Sequence, residues 1–133
     1  MHQEISVPIN TDSDIVIARQ KGRELATGLG FSSIDSTIIA TAISELARNI
    51  VLYAQRGVIL INLINHGGKA GIRVVARDEG PGISDLAQVM QEGFSTSGNL
   101  GLGLKGVKRL MDEFEIQSDV GRGTVVAVKK WVP

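Results

Sequence analysis

The sequence contains no cysteine, and this absence limits the chemistry that the chain supports. Without thiols there are no disulfides, no thiolate nucleophile and almost no way to build a structural zinc site. Aromatic residues are also scarce, with one tryptophan, one tyrosine and three phenylalanines. A ligand pocket in this protein is therefore expected to be lined mainly by aliphatic side chains.

Neither sign of charge predominates in the chain. The 14 basic and 14 acidic side chains cancel, and no block of like charge is present. A protein that binds nucleic acid or an anionic membrane surface usually carries a basic patch for that purpose. We therefore expect no nucleic acid and no membrane among its partners, and consider small molecules and proteins instead.

A targeting segment or membrane span is not expected. The opening residues, MHQEISVPIN, are acidic and polar where a signal peptide needs an apolar core, and no later window approaches a spanning length. The chain is therefore predicted to be cytoplasmic. With 133 residues, 43% hydrophobic, and no repeat or linker, residues 1–133 are predicted to form a single domain with one core.

Hydrophobic periodicity and turn residues predict an α+β fold. In the first half they predict a strand Glu4 to Ile9, a helix from Asp12 or Ser13 to Gly28 or Gly30, a helix from Ser32 or Ser33 to about Ala54, and strands Gly57 to Asn65 and Ile72 to Asp78 joined by HGGKAG. In the second half they predict a short helix Ser84 to Gln91, a loop Gly93 to Gly101, a helix Gly103 to Asp112, and the strands FEIQSD and TVVAVKKWV around a turn Val120 to Gly123. This order predicts a two-layer sandwich with helices on one face of a mixed sheet.

The first predicted helix carries more apolar residues than one core-facing stripe needs. The stripe itself consists of Ile15, Ala18, Leu25 and Leu29. Val16 and Ile17 lie beside it and indicate either a docking face or a wider buried stripe.

The segment NLGLGLKGVKRLMDEF contains Gly101, Gly103 and Gly106 with G-x-G-x-x-G spacing ahead of a predicted helix. A dinucleotide-binding fingerprint needs a strand directly before its first glycine, and the polar segment GFSTSGN does not supply one. The glycines still suit phosphate binding, because bare backbone N–H groups and the helix dipole attract anions. A flexible loop that ends at a helix start explains the pattern equally well.

The segment RDEGPGI follows a predicted strand. Pro81 and Gly82 are explained by a tight turn, but Asp78 and Gly80 are not. A carboxylate at the end of a sheet is able to accept a hydrogen bond from an exocyclic amine such as that of adenine. Glycines beside it allow a base to lie against the backbone.

The segment ISELARNIV places Glu45 and Asn49 four residues apart, on one face of an apolar helix. One interpretation is a hydrogen-bonded pair at the solvent edge. The other is chemical: an Asn oxygen suits Mg²⁺ bound together with substrate phosphates. Glu45 is then placed to take a proton from an attacking hydroxyl.

These segments, taken in order, resemble the motifs of the GHKL ATPase and kinase superfamily, whose nucleotide-binding domain has the Bergerat fold. ELARN is similar to its N box, DEGPGI to its first glycine box, GLGLKG to its second, and GRGT to its closing motif. The resemblance covers essentially the whole chain. The words SELARN and EGFSTSG are most similar to the small serine protein kinases of bacterial partner-switching systems.

The resemblance implies ATP and Mg²⁺ as cofactors and a role for each motif residue. Glu45 would be the general base, Asn49 the Mg²⁺ ligand and Asp78 the adenine contact, with Thr124 beside Asp78. Backbone contacts to the nucleotide would come from these residues: Gly80, Gly82, Gly101, Leu102, Gly103, Leu104 and Gly106. The segment Phe94 to Leu100 would be a lid over the nucleotide, while Lys105 is either a phosphate contact or an ordinary surface lysine.

The resemblance further implies phosphorylation of a serine or threonine on a STAS-domain protein in a stressosome-type stress response. The kinase would be released by that event and would then activate a downstream phosphatase. The alternative is an anti-sigma-factor kinase, which has the same motifs but sequesters a sigma factor. A transmitter-type histidine kinase is disfavoured, because neither His2 nor His66 lies on a predicted helix.

Overall fold

The computed structural model describes residues 4–80 and 103–133, which contain five strands and three α-helices. The strands are β1 (Glu4–Ile9), β2 (Gly57–His66), β3 (Lys69–Asp78), β4 (Glu113–Asp119) and β5 (Gly123–Trp131). The helices are α1 (Asp12–Leu29), α2 (Ser33–Asn49), continued directly by a π-helical turn (Ile50–Ala54), and α3 (Gly103–Leu110). The following predictions lie outside the described residues: the helix Ser84 to Gln91, the loop Gly93 to Gly101, the lid, and the site residues Gly82, Gly101 and Leu102.

The described strands form one sheet in the order β1-β2-β3-β5-β4. Every neighbouring pair in it is antiparallel, so the prediction of a mixed sheet was wrong for the described residues. Two successive helices between β1 and β2 return the chain in the direction opposite to β1. Strands β3 and β4 do run in the same direction, but β5 lies between them.

Helices cover one face of the sheet, and the core lies between the two layers. Alternate strand residues such as Ile59 and Ile61 are buried in one cluster with Ile43 and Leu46 of α2. The intervening residue Leu60 is only partly buried. Each fully buried aliphatic side chain of this kind contributes about 1.5–3 kcal/mol. The predicted α+β two-layer arrangement is confirmed.

Helix α1 has its N-cap at Thr11 rather than at Asp12 or Ser13. The Asp14 carboxylate accepts hydrogen bonds from the backbone N–H groups of Asn10 at 2.8 Å and Thr11 at 3.0 Å. These bonds lower the pKa of Asp14 below its usual value of 3.8. The folded state is therefore favoured by this cap above that pH, and the contribution is lost as pH falls through the lowered pKa.

The apolar stripe predicted for α1 is confirmed. Ala18 is buried, and three partly buried side chains pack against the core: Ile15, Leu25 and Leu29. Val16 and Ile17 are 54% and 45% exposed, so the interpretation as a wider buried stripe was wrong. Their use as a docking face stays a prediction.

Helix α2 begins after Ser32, whose hydroxyl accepts a hydrogen bond from the backbone N–H of Asp35 at 3.1 Å. With the π-helical turn it covers Ser33–Ala54, which is 22 residues and includes an 18-residue window with a mean hydropathy of 1.2. The expectation that no window approaches the length of a membrane span was therefore wrong. In the fold, apolar side chains of this segment such as Ile43 and Leu46 are buried in the core.

The hairpin between β2 and β3 is tighter than predicted. Gly67 and Gly68 have φ values of 60° and 81° and form a two-residue turn between the paired residues His66 and Lys69. Strand β3 consequently begins at Lys69 rather than at Ile72. The other described elements match the predicted bounds to within two residues, when the π-helical turn is counted with α2.

Candidate active site

One end of the sheet carries a row of polar side chains on the helix-covered face. The polar row covers three strands through the register pairs Asp78 with Thr124 and Thr124 with Ser118. On the other side of Asp78 the same register continues to Gly57 and to the buried Ile9, which are not polar. The adjacent row on the same face is apolar: Val7, Ile59, Ala76, Val126 and Ile116. The polar side chains therefore lie at the border of the hydrophobic core.

Asp78 is the last residue of β3, and backbone donors hold its carboxylate in place. Its Oδ1 atom accepts hydrogen bonds from the N–H of Gly80 at 2.9 Å and from the N–H of Thr124 at 3.3 Å. Within the described part of the chain its Oδ2 atom has no hydrogen-bond partner. This arrangement orients a half-buried carboxylate and leaves one oxygen to accept a hydrogen bond from a ligand.

Thr124 lies opposite Asp78 at the start of β5 and is only 9% exposed. Its Oγ1 atom is 2.7 Å from the Oγ atom of Ser118 on β4. The Ser118 hydroxyl also donates a hydrogen bond to the carbonyl oxygen of Gly123 at 3.2 Å. The buried Thr124 hydroxyl and the half-buried Ser118 hydroxyl thus continue the polar row beside the Asp78 carboxylate.

Two glycines allow the backbone to close tightly around Asp78. Gly123 has a φ of 124°, and a Cβ atom there would collide with the carbonyl oxygen of Asp78. A Cβ atom on Gly80 would lie 2.6 Å from the Cβ atom of Ala54 and 3.2 Å from Oδ1 of Asp78. Because no other residue fits these spaces without displacement, both glycines are needed for the conformation of this end of the sheet.

Glu45 and Asn49 lie one turn apart near the end of α2, and both are half-buried. Buried apolar residues flank them on the helix: Ala42, Ile43, Leu46, Ala47 and Ile50. In residues 4–80 and 103–133 neither side chain has a hydrogen-bond partner, so they do not form the pair that one interpretation of the sequence suggested. As far as the described residues go, a carboxylate and an amide oxygen therefore remain available on one face of the helix.

The π-helical turn connects this helix to the polar end of the sheet. It follows Asn49 directly, contacts β2 and β3, and ends at Gln55, which has a left-handed φ of 71°. Its last residue, Ala54, lies against Gly80. The end of α2 is thereby brought next to the Asp78–Gly80 segment. Short π-helical insertions of this kind are frequent at functional sites.

Helix α3 begins at Gly103, which has a left-handed φ of 70°, and the helix packs against α2. The side chains of Leu104 and Val107 are buried in the core, which leaves only the backbone of Leu104 for contact with a ligand. Gly106 and Lys105 are half-buried in the same short helix. The first N–H groups of an α-helix have no partner within the helix, and such groups suit an anion.

Three residues of this region were absent from the candidate set drawn from the sequence. Gly57 pairs with Asp78, and a Cβ atom there would lie 3.1 Å from the Asp78 Cβ atom. Gly123 lies against the backbone of Asp78, and the Ser118 hydroxyl contacts the Thr124 hydroxyl, as described above. The closing motif GRGT contains Gly123 and could have identified it as a site residue. For Ser118 the sequence offers only its position on the preceding strand.

Comparison with known proteins gives a family match and a match to an individual protein, and both are to ATPases or kinases. The profile of a family described as histidine kinase-, DNA gyrase B-, and HSP90-like ATPase matches residues 34–133. The chain is 54% identical over 132 residues to serine/threonine-protein kinase RsbT of Bacillus subtilis (strain 168), and the match covers 99% of both chains.

Anti-sigma factors are similar to a lesser degree. The anti-sigma F factor of Thermoanaerobacter sp. (strain X514) is 34% identical over 112 residues, which cover 76% of this chain and 77% of that protein. The anti-sigma F factor of Geobacillus stearothermophilus is 29% identical over 137 residues, which cover 98% of this chain and 90% of that protein.

Proposed function

Since the chain belongs to the family of histidine kinase-, DNA gyrase B- and HSP90-like ATPases, we propose that it transfers the γ-phosphate of ATP to a serine or threonine of a STAS-domain protein. It is a serine/threonine protein kinase. Its proposed setting is a cytoplasmic partner-switching pathway of the stress response, of the stressosome type. After phosphorylating its substrate it is released, and it then binds and activates a phosphatase.

The Asp78 carboxylate is the feature that supports a nucleotide ligand most directly. Its Oδ1 atom is held by two backbone N–H groups, and its Oδ2 atom has no partner among the described residues. A carboxylate oxygen held in this way accepts a hydrogen bond from the adenine amino group. Gly80 and Gly82 provide backbone beside the base, and Thr124 contacts it directly or through water.

The proposed phosphate contacts come from the second glycine segment. Helix α3 starts within this segment and directs its first N–H groups outward from its N-terminus. The contributing residues are Gly101, Leu102, Gly103, Leu104 and Gly106. Since the Leu104 side chain is buried in the core, that residue contributes through its backbone.

Glu45 and Asn49 supply the proposed chemistry on α2. The oxygen of the substrate hydroxyl forms a bond to the γ-phosphorus while the bond between that phosphorus and the β,γ-bridging oxygen breaks. Glu45 takes the hydroxyl proton, and ADP leaves. Asn49 supplies an amide oxygen that suits Mg²⁺. When bound, Mg²⁺ neutralises charge on the phosphate oxygens.

A second candidate function is that of an anti-sigma-factor kinase that binds and sequesters a sigma factor. The similarity to proteins named anti-sigma F factor favours it, at 34% identity over three quarters of the chain. The same nucleotide site serves both functions, so they differ in the protein that is bound. The higher identity to a protein named as a serine/threonine kinase favours the first function.

Transfer of labelled γ-phosphate from Mg·ATP to a purified STAS-domain protein tests the proposed function. We expect label on a serine or threonine of that protein, with dependence on time and on kinase concentration. A parallel binding measurement with a sigma factor, with and without ATP, examines the second candidate. Tight ATP binding without transfer, together with capture of the sigma factor, would reverse the order of the two functions.

Replacement of Asn49 by alanine is expected to abolish the effect of Mg²⁺ on ATP binding, because the variant lacks the protein oxygen proposed to bind the ion. Calorimetric titrations with ATP in Mg²⁺ and in EDTA measure the effect. Asn65→Ala, at an exposed position near the end of β2, is the matched control and should bind ATP as the parent does. A titration of Asn49→Ala still strengthened by Mg²⁺ would assign the ion to another ligand.

A further inference from the structure

Ser118 has a contact that the proposed function does not use. It is the β4 residue that pairs with Thr124, and it occupies the last position of the polar row. Its side chain points to the same face of the sheet as Ile116 and Phe114, both of which pack against the core. Thr124 on β5 therefore lies between Asp78 on β3 and the Ser118 hydroxyl on β4.

One arrangement of the two hydroxyl protons makes the contacts of Ser118 with Gly123 and with Thr124 both hydrogen bonds. Ser118 donates to the carbonyl oxygen of Gly123 at 3.2 Å, and a carbonyl oxygen only accepts. A hydroxyl has one proton, so in this arrangement the contact of 2.7 Å between Ser118 and Thr124, in which either oxygen is able to donate, is made with the Thr124 proton. Thr124 Oγ1 therefore directs its remaining lone pairs, and no proton, toward other groups.

We propose that Ser118 is a specificity-determining positioning residue, which makes the Thr124 hydroxyl an acceptor toward the base of the bound nucleotide. The inference rests on the proposed function, because it concerns the base of the ATP assigned to this site. Ser118 acts through Thr124 and does not itself touch the nucleotide.

The consequence is selection for a base with an exocyclic amino group. Asp78 Oδ2 and Thr124 Oγ1 are then both acceptors, and the adenine amino group donates to them directly or through a water molecule. Hypoxanthine carries a carbonyl oxygen at the same ring position. That oxygen would meet acceptors only, so the nucleotide ITP is disfavoured.

Because Thr124 is nearly inaccessible to water, solvent does not compete for its hydroxyl hydrogen bonds. Thr124 is 9% exposed, and Gly123 closes against the backbone of Asp78. A buried hydroxyl that loses its partner pays a desolvation cost, which favours the fully bonded arrangement. Without the Ser118 oxygen, the Thr124 hydroxyl is free to rotate and to donate to a carbonyl.

Calorimetric titration of the full chain with ATP and with ITP in Mg²⁺ tests the proposal in the parent and in Ser118→Ala. The measured quantity is the ratio of the Kd for ITP to the Kd for ATP. We expect the parent to prefer ATP and the ratio to fall roughly two- to tenfold in Ser118→Ala, the effect of one hydrogen bond. Ser118→Thr retains the hydroxyl and should retain the parent ratio.

Gln117→Ala is the matched control, because Gln117 is exposed on the opposite face of β4. Its ratio should equal that of the parent. Equal weakening of both nucleotides in Ser118→Ala, or an unchanged ratio, would overturn the assignment and leave Ser118 a structural residue. A parent that binds neither nucleotide would instead overturn the proposed function, and this inference with it.

Discussion

Phosphoryl transfer to the protein substrate is expected to fall roughly 10²–10⁴-fold when Glu45 is replaced by alanine, the usual contribution of a general base. ATP affinity should stay near that of the parent, because Glu45 is proposed to contact the attacking hydroxyl and not the nucleotide. Alanine is the most favourable helix former, so α2 should keep its structure. Single-turnover transfer of labelled phosphate and calorimetric ATP titration measure the two quantities separately.

Glu24→Ala is the matched control for this experiment. Glu24 is an exposed glutamate on α1 with no hydrogen bond or ion pair among the described residues. It should transfer phosphate at the parent rate. If Glu45→Ala also transfers at the parent rate, Glu45 has no part in the mechanism, and the proton goes to another acceptor.

ATP binding is expected to weaken by about 1.5–3 kcal/mol in Asp78→Asn, which corresponds to roughly 10- to 150-fold in Kd. The asparagine oxygen is still able to accept from the N–H groups of Gly80 and Thr124, which bond Oδ1 in the parent. The second oxygen becomes an NH₂ group, which donates where the adenine amino group also donates. The fold is thus preserved while the ligand contact is reversed.

Asp119→Asn is the matched control, since Asp119 is an exposed aspartate at the same end of the sheet on β4. Its ATP affinity should be unchanged. Comparison of ATP with GTP in the parent supplies an independent measurement. Equal affinity for the two nucleotides would show that Asp78 does not select the adenine amino group.

Much of the fold was predictable because its signals are local. The alternation in EISVPI predicted β1 with its observed bounds. Ser32 as a cap and Gly30 as a left-handed stop separate α1 from α2 through interactions with neighbouring residues. Paired glycines predicted the β2–β3 hairpin, although they did not reveal how short its turn is.

The neighbour relations between strands were less predictable. Runs of β-branched residues predicted that strands exist, but the mixed sheet inferred from their order was wrong for the described residues. The insertion of β5 between β3 and β4 depends on the packing of whole layers. The π-helical turn after Asn49 likewise depends on contact with β2 and β3, and the α-helical periodicity continued through it.

The chemistry available to this protein can be read from its residues alone: no thiols, balanced charge, and the motifs that carry Glu45, Asn49, Asp78 and Thr124. Which side chains face one another depends on how the strands pair and how the layers pack. The predicted turn Val120 to Gly123 makes Asp119 and Thr124 the closing pair, whereas Asp119 pairs with Gly123 in the structure. A shift of one residue moves a strand's side chains to the opposite face, so the observed register is what brings Ser118 against Thr124. In the same register, Gly123 lies close to the backbone of Asp78 on β3. These two residues are far apart in the sequence, so no local pattern predicts their contact.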